Sequence, residues 1–342
     1  MDKRFFWIMS VFLVAVIGWT LYFPPQPAEQ AAEAPGATPV AVENAAPAVA
    51  PPAEVPAPVP TRRITVTTPQ YTAVFDEDGG RLSSFKLADY FQRKTNPNQP
   101  DEMLELVNQP HPDDRSMRLG LTEPGAPKLE NAPYLADQES LTVGAGETKT
   151  LTMTYRDPSG LIVTRELSFS GDSFLIGQNV TLENQGQTLY DGYLTMRLNS
   201  APFSAKGNRN YNEMGAFINN GLVNDTPADA AEALADFRGK LTSVDWIGYM
   251  DQYFLTALVV PDQSEIPEAV PPSLSAAFQD HGGLAVGISW PLNLAPAQKK
   301  VLNYDFYYGP KSAEALKAAG HKLDRSVDLG WFYFLAAPLA KL

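Results

Sequence analysis

From Arg62 onward apolar and polar residues alternate with a period of two, which turns one face of a strand to a core and the other to water. Ile64 and Val66, then Tyr71, Ala73 and Phe75, set two strands, and Asp78-Gly79-Gly80 supplies the turn into a third through Leu82 and Phe85. Four sequential strands follow over residues 148–155, 161–169, 174–183 and 189–199. Asp157-Pro158-Ser159-Gly160, Gly171-Asp172 and Asn184-Gln185-Gly186 punctuate them, which predicts a meander of antiparallel pairs. Residues 244–260 are densely apolar and aromatic, but Asp245 and Asp251 would be unpaired in a bilayer, so two buried strands around Met250-Asp251-Gln252 are expected. Residues 274–279, 284–290 and 299–308 give three more strands, with His281-Gly282-Gly283 between the first two. The period fails over 96–133, where prolines and charges predict a long surface connection or short irregular strands. Asn, Gly and aromatics crowd 201–221, and 227–237 read as a short acidic helix or a loop. Residues 312–323 change to helix formers, with Glu314 in the first turn and Lys322 near the end, as the helix dipole favours. The expected fold is all-β: an antiparallel β-sandwich over residues 62–310 and a C-terminal helix over 311–327.

Two stretches stand outside this pattern. Residues 5–23 carry no charge, and at about 1.5 Å per residue a helix of that length reaches about 30 Å, the thickness of a bilayer's hydrocarbon core. Lys3 and Arg4 precede it, while the next charges, Glu29, Glu33, Glu43 and Glu54, are all acidic. The positive-inside rule therefore predicts one transmembrane anchor over residues 1–23, with a cytoplasmic N-terminus and the bulk of the chain outside. A cleaved signal sequence competes, with Ala32-Glu33-Ala34 as its site; the long apolar run and Pro24, Pro25, Pro27 and Pro35 weigh against it. Residues 24–61 are rich in Pro, Ala, Val and Glu and poor in large apolar side chains, the composition of an extended, disordered spacer. Residues 328–342 are apolar on nearly every side. Trp331, Phe332, Phe334, Leu335 and Leu339 are the candidates for membrane contact, packing against further spans being the alternative.

Composition narrows the chemistry. A net charge of −13 argues against nucleic acid as a partner, which needs a basic face. With no cysteine there is no disulfide, thiolate nucleophile or Cys-ligated metal, and an exported domain must draw its stability from a large core. Nucleophile-elbow, HExxH, Walker and dinucleotide motifs are absent from the sequence. The acidic run Asp76-Glu77-Asp78 lacks the ligand spacing of a calcium loop and reads as a hairpin turn. His111, His281 and His321 are far apart and read as surface residues. Glu213 and Asp251 are a conceivable glycosidase pair, while Trp246, Tyr249, Tyr253 and Phe254 fill a core or line a sugar or peptide groove. No catalytic, cofactor-binding or metal residue is assigned, no cofactor is expected, and the chain reads as a non-enzyme.

Three stretches, taken in order, resemble the N-terminal part of the YidC family of bacterial membrane protein insertases. They are AVFDEDGGRLSSFKLADY (73–90), DWIGYMDQYFLTALVVP (245–261) and YYGPKSAEALKAAGHKLDRSVDLGWFYFLAAPL (307–339), and the last is the most specific. The resemblance implies a periplasmic β-sandwich of the supersandwich type behind a first inner-membrane span. It also implies a role in inserting, folding and assembling inner-membrane proteins, alone or with the Sec translocon. Its partners would be nascent inner-membrane proteins, SecDF and membrane lipid. The family's groove arginine belongs to spans expected after Leu342, so it is carried onto no residue here, and the chain is expected to be the outer part of a longer machine. A periplasmic scaffold or adaptor, or a sugar-binding sandwich anchored to the inner membrane, is the competing reading.

Overall fold

The alternation at Ile64 and Val66 becomes a strand whose odd residues face water and whose even residues are buried, and the same logic builds three sheets. The computed structural model describes residues 62–92, 101–107, 115–123, 125–203, 212–238, 240–260, 272–279 and 283–327. These lie in the second of two units, Pro58–Leu342. The expected span at 5–23, the spacer, the apolar run at 328–342 with Trp331, Phe332, Phe334, Leu335 and Leu339, and also His111 and His281, fall outside the described residues. Among the described residues no helix is long and apolar enough to cross a membrane.

Strands are numbered in chain order. A five-stranded sheet runs β4 (Met103–Glu105), β3 (Arg81–Phe91), β2 (Tyr71–Asp76), β1 (Arg63–Thr67), β7 (Ser140–Thr142). A nine-stranded sheet runs β13 (Gly221–Asp225), β12 (Glu213–Ile218), β14 (Val244–Met250), β15 (Phe254–Val259), β18 (Lys299–Pro310), β10 (Leu175–Asn184), β9 (Leu161–Ser170), β8 (Thr148–Arg156), β6 (Leu135–Ala136). A four-stranded sheet runs β16 (Ser273–Phe278), β17 (Leu284–Leu294), β11 (Tyr190–Ser200), β5 (Arg118–Thr122). Pairing is antiparallel except between β1 and β7. One core joins all three sheets, with Phe75 edge-on to Phe169 at 5.7 Å and Phe85 stacked on Tyr308 at 5.0 Å. The expected all-β sandwich is what forms.

The meander breaks after its third strand. β8, β9 and β10 are neighbours as expected, but β10 takes β18 as its second partner and β11 crosses to the small sheet, between β17 and β5. The turn at Asn184 directs this crossing. Its amide donates to Thr188 O at 2.6 Å and Leu294 O at 3.1 Å, and Gln185 N donates to Gly160 O at 2.9 Å. Gly186 lies so close to the neighbouring turn that a Cβ would come 2.0 Å from Ser159 O. Of the two expectations for 96–133, short irregular strands is the one met among the described residues: β4 and β5 are short strands, and Leu104, Leu106, Met117, Leu119 and Leu129 are buried. Residues 230–235 are helical, as one of the two expectations for that stretch had it.

Five arginines converge on the turn after β2. Asp76 is paired by Arg115 at 2.5 Å and Arg63 at 3.3 Å, Glu77 by Arg62 at 2.6 Å, and Asp78 by Arg81. The fifth, Arg165 of β9, is fully buried and has no carboxylate partner among the described residues. Its guanidinium donates to Gly79 O and Met117 O at 2.9 Å and to Gln178 Oε1 at 2.8 Å, and lies 5.8 Å from the Tyr134 ring centroid. Burial pushes its pKa down, and the strong basicity of guanidinium keeps it a cation that three neutral acceptors must solvate. Gly79 and Gly80 have φ of +72° and +58°, and a Cβ on Gly80 would meet Arg165 Nη1 at 2.8 Å. The Asp-Glu-Asp-Gly-Gly run is thus the knot that ties the five-stranded sheet to the nine-stranded one.

A second apolar cluster lies on the other face of the large sheet. The helix Ala313–Ala319 is capped by Ser312 Oγ, which accepts from Ala315 N at 3.2 Å. Leu316, Ala319 and Leu323 pack on Phe217, Trp246, Leu255, Ala257, Val259 and Tyr307. The helix is shorter than the expected 312–323, because Gly320, His321 and Lys322 all take positive φ and redirect the chain into a 3-10 turn, Leu323–Ser326. Trp246 Nε1 donates to Lys322 O at 3.1 Å, Lys322 Nζ sits 3.1 Å from Asp245 Oδ1 and 5.2 Å from the Phe217 ring centroid, and the segment is clamped to β14.

Candidate functional site

On each strand of the four-stranded sheet, alternate residues leave the core. Leu194, Met196 and Leu198 of β11 point inward, so Thr195, Arg197 and Asn199 stand on the opposite face, about 7 Å apart at each step. Register places Arg197 opposite Arg118 of β5 and opposite Gly287 of β17. Small residues floor the rest: Ser275 and Ala277 on β16, Ala285, Gly287 and Ser289 on β17.

Two cavities of this face meet at Arg118 and Arg197. The larger, about 560 Å³, extends along β5 past Lys128, Glu130 and Glu123. The smaller, about 280 Å³, is lined by Asn199, Ser275, Ala277, Gln279 and Ala285 besides the two arginines. Arg118 approaches Glu130 at 3.7 Å, while Arg197 forms no ion pair with a described residue. Asn199 is 3% exposed, and its Oδ1 has no hydrogen-bond partner among the described residues. Neither cavity is lined by a histidine among the described residues. The smaller cavity therefore sets a cationic pair and an amide acceptor side by side, with Glu130 beside Arg118 in the larger one.

The candidates read from the sequence lie elsewhere. Glu213 and the residue before Asp251, Met250, are cross-strand partners, but Asp251 Oδ1 caps its own turn, accepting from Tyr253 N and Phe254 N at 2.7 Å. Burial raises the Asp251 pKa, and those two N–H groups oppose the shift. Lys311 Nζ donates to Asp251 O at 3.2 Å; its burial lowers its pKa, and the charges of Glu213 and Asp251 oppose that. Trp246 and Tyr249 are core residues, Phe254 is half-buried against Tyr90, and Tyr253 is exposed rather than core. The acids of the Asp76 run are bound to arginines, not gathered for a cation.

His321 does reach a carboxylate: its Nε2 is 3.5 Å from Asp305 Oδ2. Burial raises the Asp305 pKa above 3.8, with His321 pulling it back. The folded state therefore binds the Asp305 proton more tightly than the unfolded chain. That contribution to stability is present at low pH and is lost as pH rises through the folded pKa. Asp305→Asn, which mimics the protonated side chain, is expected to raise the urea midpoint at pH 7, with the gain vanishing below about pH 4. A lower midpoint at pH 7 would mean that the contact with His321 outweighs the burial.

Arg118, Arg197 and Asn199 carry no local motif that would have singled them out, since each occupies an ordinary outward strand position. Arg165 did have a signal: it takes an inward position between Val163 and Leu167.

Comparison with known proteins follows the same boundaries. A family model described as the YidC periplasmic domain matches residues 63–342. Membrane protein insertase YidC of Geobacter sulfurreducens is 30% identical over 281 residues, covering 80% of this chain and 49% of that protein. Membrane protein insertase YidC of Geobacter metallireducens is 30% identical over 353 aligned positions, covering 99% and 63%. The chain spans about half the length of most of the curated relatives it matches. Among solved structures, a galactose mutarotase related enzyme from Lactobacillus acidophilus is similar with a TM-score of 0.47 at 11% identity, over 72% of this chain and 97% of that one. A galactose mutarotase-like protein from Clostridium acetobutylicum gives 0.47 at 8% identity, over 71% and 94%. By the match over residues 63–342, which takes in all three sheets and the clamped helix, this chain belongs to the YidC periplasmic domain family.

Proposed function

We propose that this chain is the N-terminal, outward-facing part of a bacterial membrane protein insertase that helps to insert, fold and assemble inner-membrane proteins. The observation carrying the reading is the family match over 63–342 together with relatives named as insertases at about 30% identity. In this reading residues 1–23 anchor the chain in the inner membrane with the N-terminus in the cytoplasm, residues 24–61 are a spacer, and the sandwich stands in the periplasm. Nascent inner-membrane proteins, the Sec translocon with SecDF, and lipid are the partners, and Trp331, Phe332, Phe334, Leu335 and Leu339 touch the membrane. No covalent chemistry or cofactor enters: insertion lowers the cost of carrying polar flanks across an apolar layer.

The test is topology followed by contact. Expressed in a Gram-negative host, the chain is expected to sediment with inner membranes, and its sandwich to be cut by protease only after the outer membrane is opened. A photo-crosslinking residue at Trp331 or Phe334 is expected to capture lipid or a nascent inner-membrane protein. Recovery of the chain in the soluble periplasm, with no such adduct, would move the reading to a free scaffold or sugar-binding domain.

A further inference from the structure

The groove on the small sheet has a charge arrangement that the sheet itself does not need. Arg118 and Arg197 are direct cross-strand partners, and like charges in that position repel. They open into a cavity of about 280 Å³ whose lining contains no carboxylate, in a chain of net charge −13. Next to them the Oδ1 of Asn199, 3% exposed, is left without a partner among the described residues. Arg197, which forms no ion pair with a described residue, asks for a carboxylate, which guanidinium binds through paired N–H donors. Arg118, already 3.7 Å from Glu130, adds its charge beside it, and a buried amide oxygen asks for an N–H or O–H.

We propose that this groove binds an extended acidic peptide segment. Its carboxylates engage Arg118 and Arg197, and a main-chain N–H reaches Asn199 Oδ1. Three features favour a peptide. Thr195, Arg197 and Asn199 are spaced at the two-residue repeat of an extended chain, about 7 Å. Ser275, Ala277, Ala285 and Gly287 keep the floor low, and a Cβ on Gly287 would press on Arg197 Cγ at 3.1 Å and tilt it. The larger cavity continues the same line past Lys128, with Glu130 held 3.7 Å from Arg118 and Glu123 accepting from Asp191 N at 3.1 Å, so a chain longer than a single residue has room to run. The proposal stands whether or not the chain serves an insertase.

Fluorescence anisotropy on the full chain in non-ionic detergent tests it, with a fluorescein-labelled alternating Glu-Ala peptide of about ten residues as probe. Saturable binding is expected at about 0.02 M salt, much weaker at about 0.3 M, and absent with the matching Lys-Ala peptide. Arg197→Gln and Ser275→Glu alter exposed positions and should leave the thermal midpoint in place while weakening binding by about tenfold or more. Arg197→Lys, which keeps the charge but not the paired donors, should fall between. If either Gln or Glu variant misfolds, the other decides. The proposal is overturned by no saturation at millimolar peptide, by undiminished binding in a folded variant, or by displacement of the probe by tetragalacturonate at lower concentration than by unlabelled peptide. That last result would assign the groove to acidic saccharides.

Discussion

Arg165→Met is expected to lower the unfolding free energy by about 3 kcal/mol, seen as a fall in urea midpoint with the slope unchanged. Two effects oppose each other. Removing a buried guanidinium recovers several kcal/mol of desolvation, which is why apolar replacements of buried ions are often harmless. Against this, three charge-assisted bonds at about 1.5–3 kcal/mol each are lost. Gly79 O, Met117 O and Gln178 Oε1 then stay buried without their donor. The acceptors belong to the β2–β3 turn, the approach to β5 and the neighbouring strand β10, so none can turn to water without parting the sheets. The second effect should win. Arg165→Lys should do no better, because one ammonium cannot span all three acceptors. An unchanged or higher midpoint for the Met variant would show that the arginine is tolerated and not required.

Trp246→Ala is expected to cost about 3–5 kcal/mol, the usual range for emptying a buried aromatic site. It should also expose the C-terminal clamp first. Trp246 is fully buried and both floors the site of Leu316 and Leu323 and holds Lys322 O through its indole N–H. Limited trypsin digestion at a temperature where the sheets persist should therefore cut at Lys322 and Arg325 earlier than in the parent. Trp246→Phe keeps most of the apolar contact but not the hydrogen bond, so it should loosen the clamp by about 1 kcal/mol. Cleavage beginning inside the sheets in both variants would show that the clamp has no separate stability.

Periodicity made most strands legible, because each depends on a local contrast between faces. Residues 161–169 and 174–183 were bounded by Gly, Asp, Asn and Pro turns, and β9 and β10 start and end within one residue of them. What alternation does not encode is the partner. Nothing within residues 189–199 distinguishes a fourth meander strand from one that crosses to another sheet, since the decision rests on Asn184 reaching Leu294 O far along the chain. The groove was invisible for the same reason: Arg118 and Arg197 look like solvated strand residues until register sets them face to face. In the 96–133 region the second of the two expectations, short irregular strands, is what forms at β4 and β5, and the prolines and charges hide the short apolar runs that bury them, such as Leu104 with Leu106 and Met117 with Leu119. The family motifs, in contrast, fall on elements with many partners: the first in β2, β3 and their turn, the second across β14 and β15, and the described part of the third, to residue 327, from β18 through the clamp.

The crossing at Asn184 also sets an order of events for a chain that emerges N-terminus first. Gln178 pairs with Tyr304 and Leu194 with Trp290, so the strands on both sides of one short turn wait for partners near the far end. Loop closure of that span must precede the gain from pairing, and folds dominated by such contacts assemble slowly. Local units such as β1 with β2 and β3, β8 with β9 and β10, and β14 with β15 can close during emergence. Until β17 is complete at Leu294 one edge of β11 is unpaired, and until β18 is complete at Pro310 one edge of β10 is, and it is in that interval that a holding factor would act on this domain.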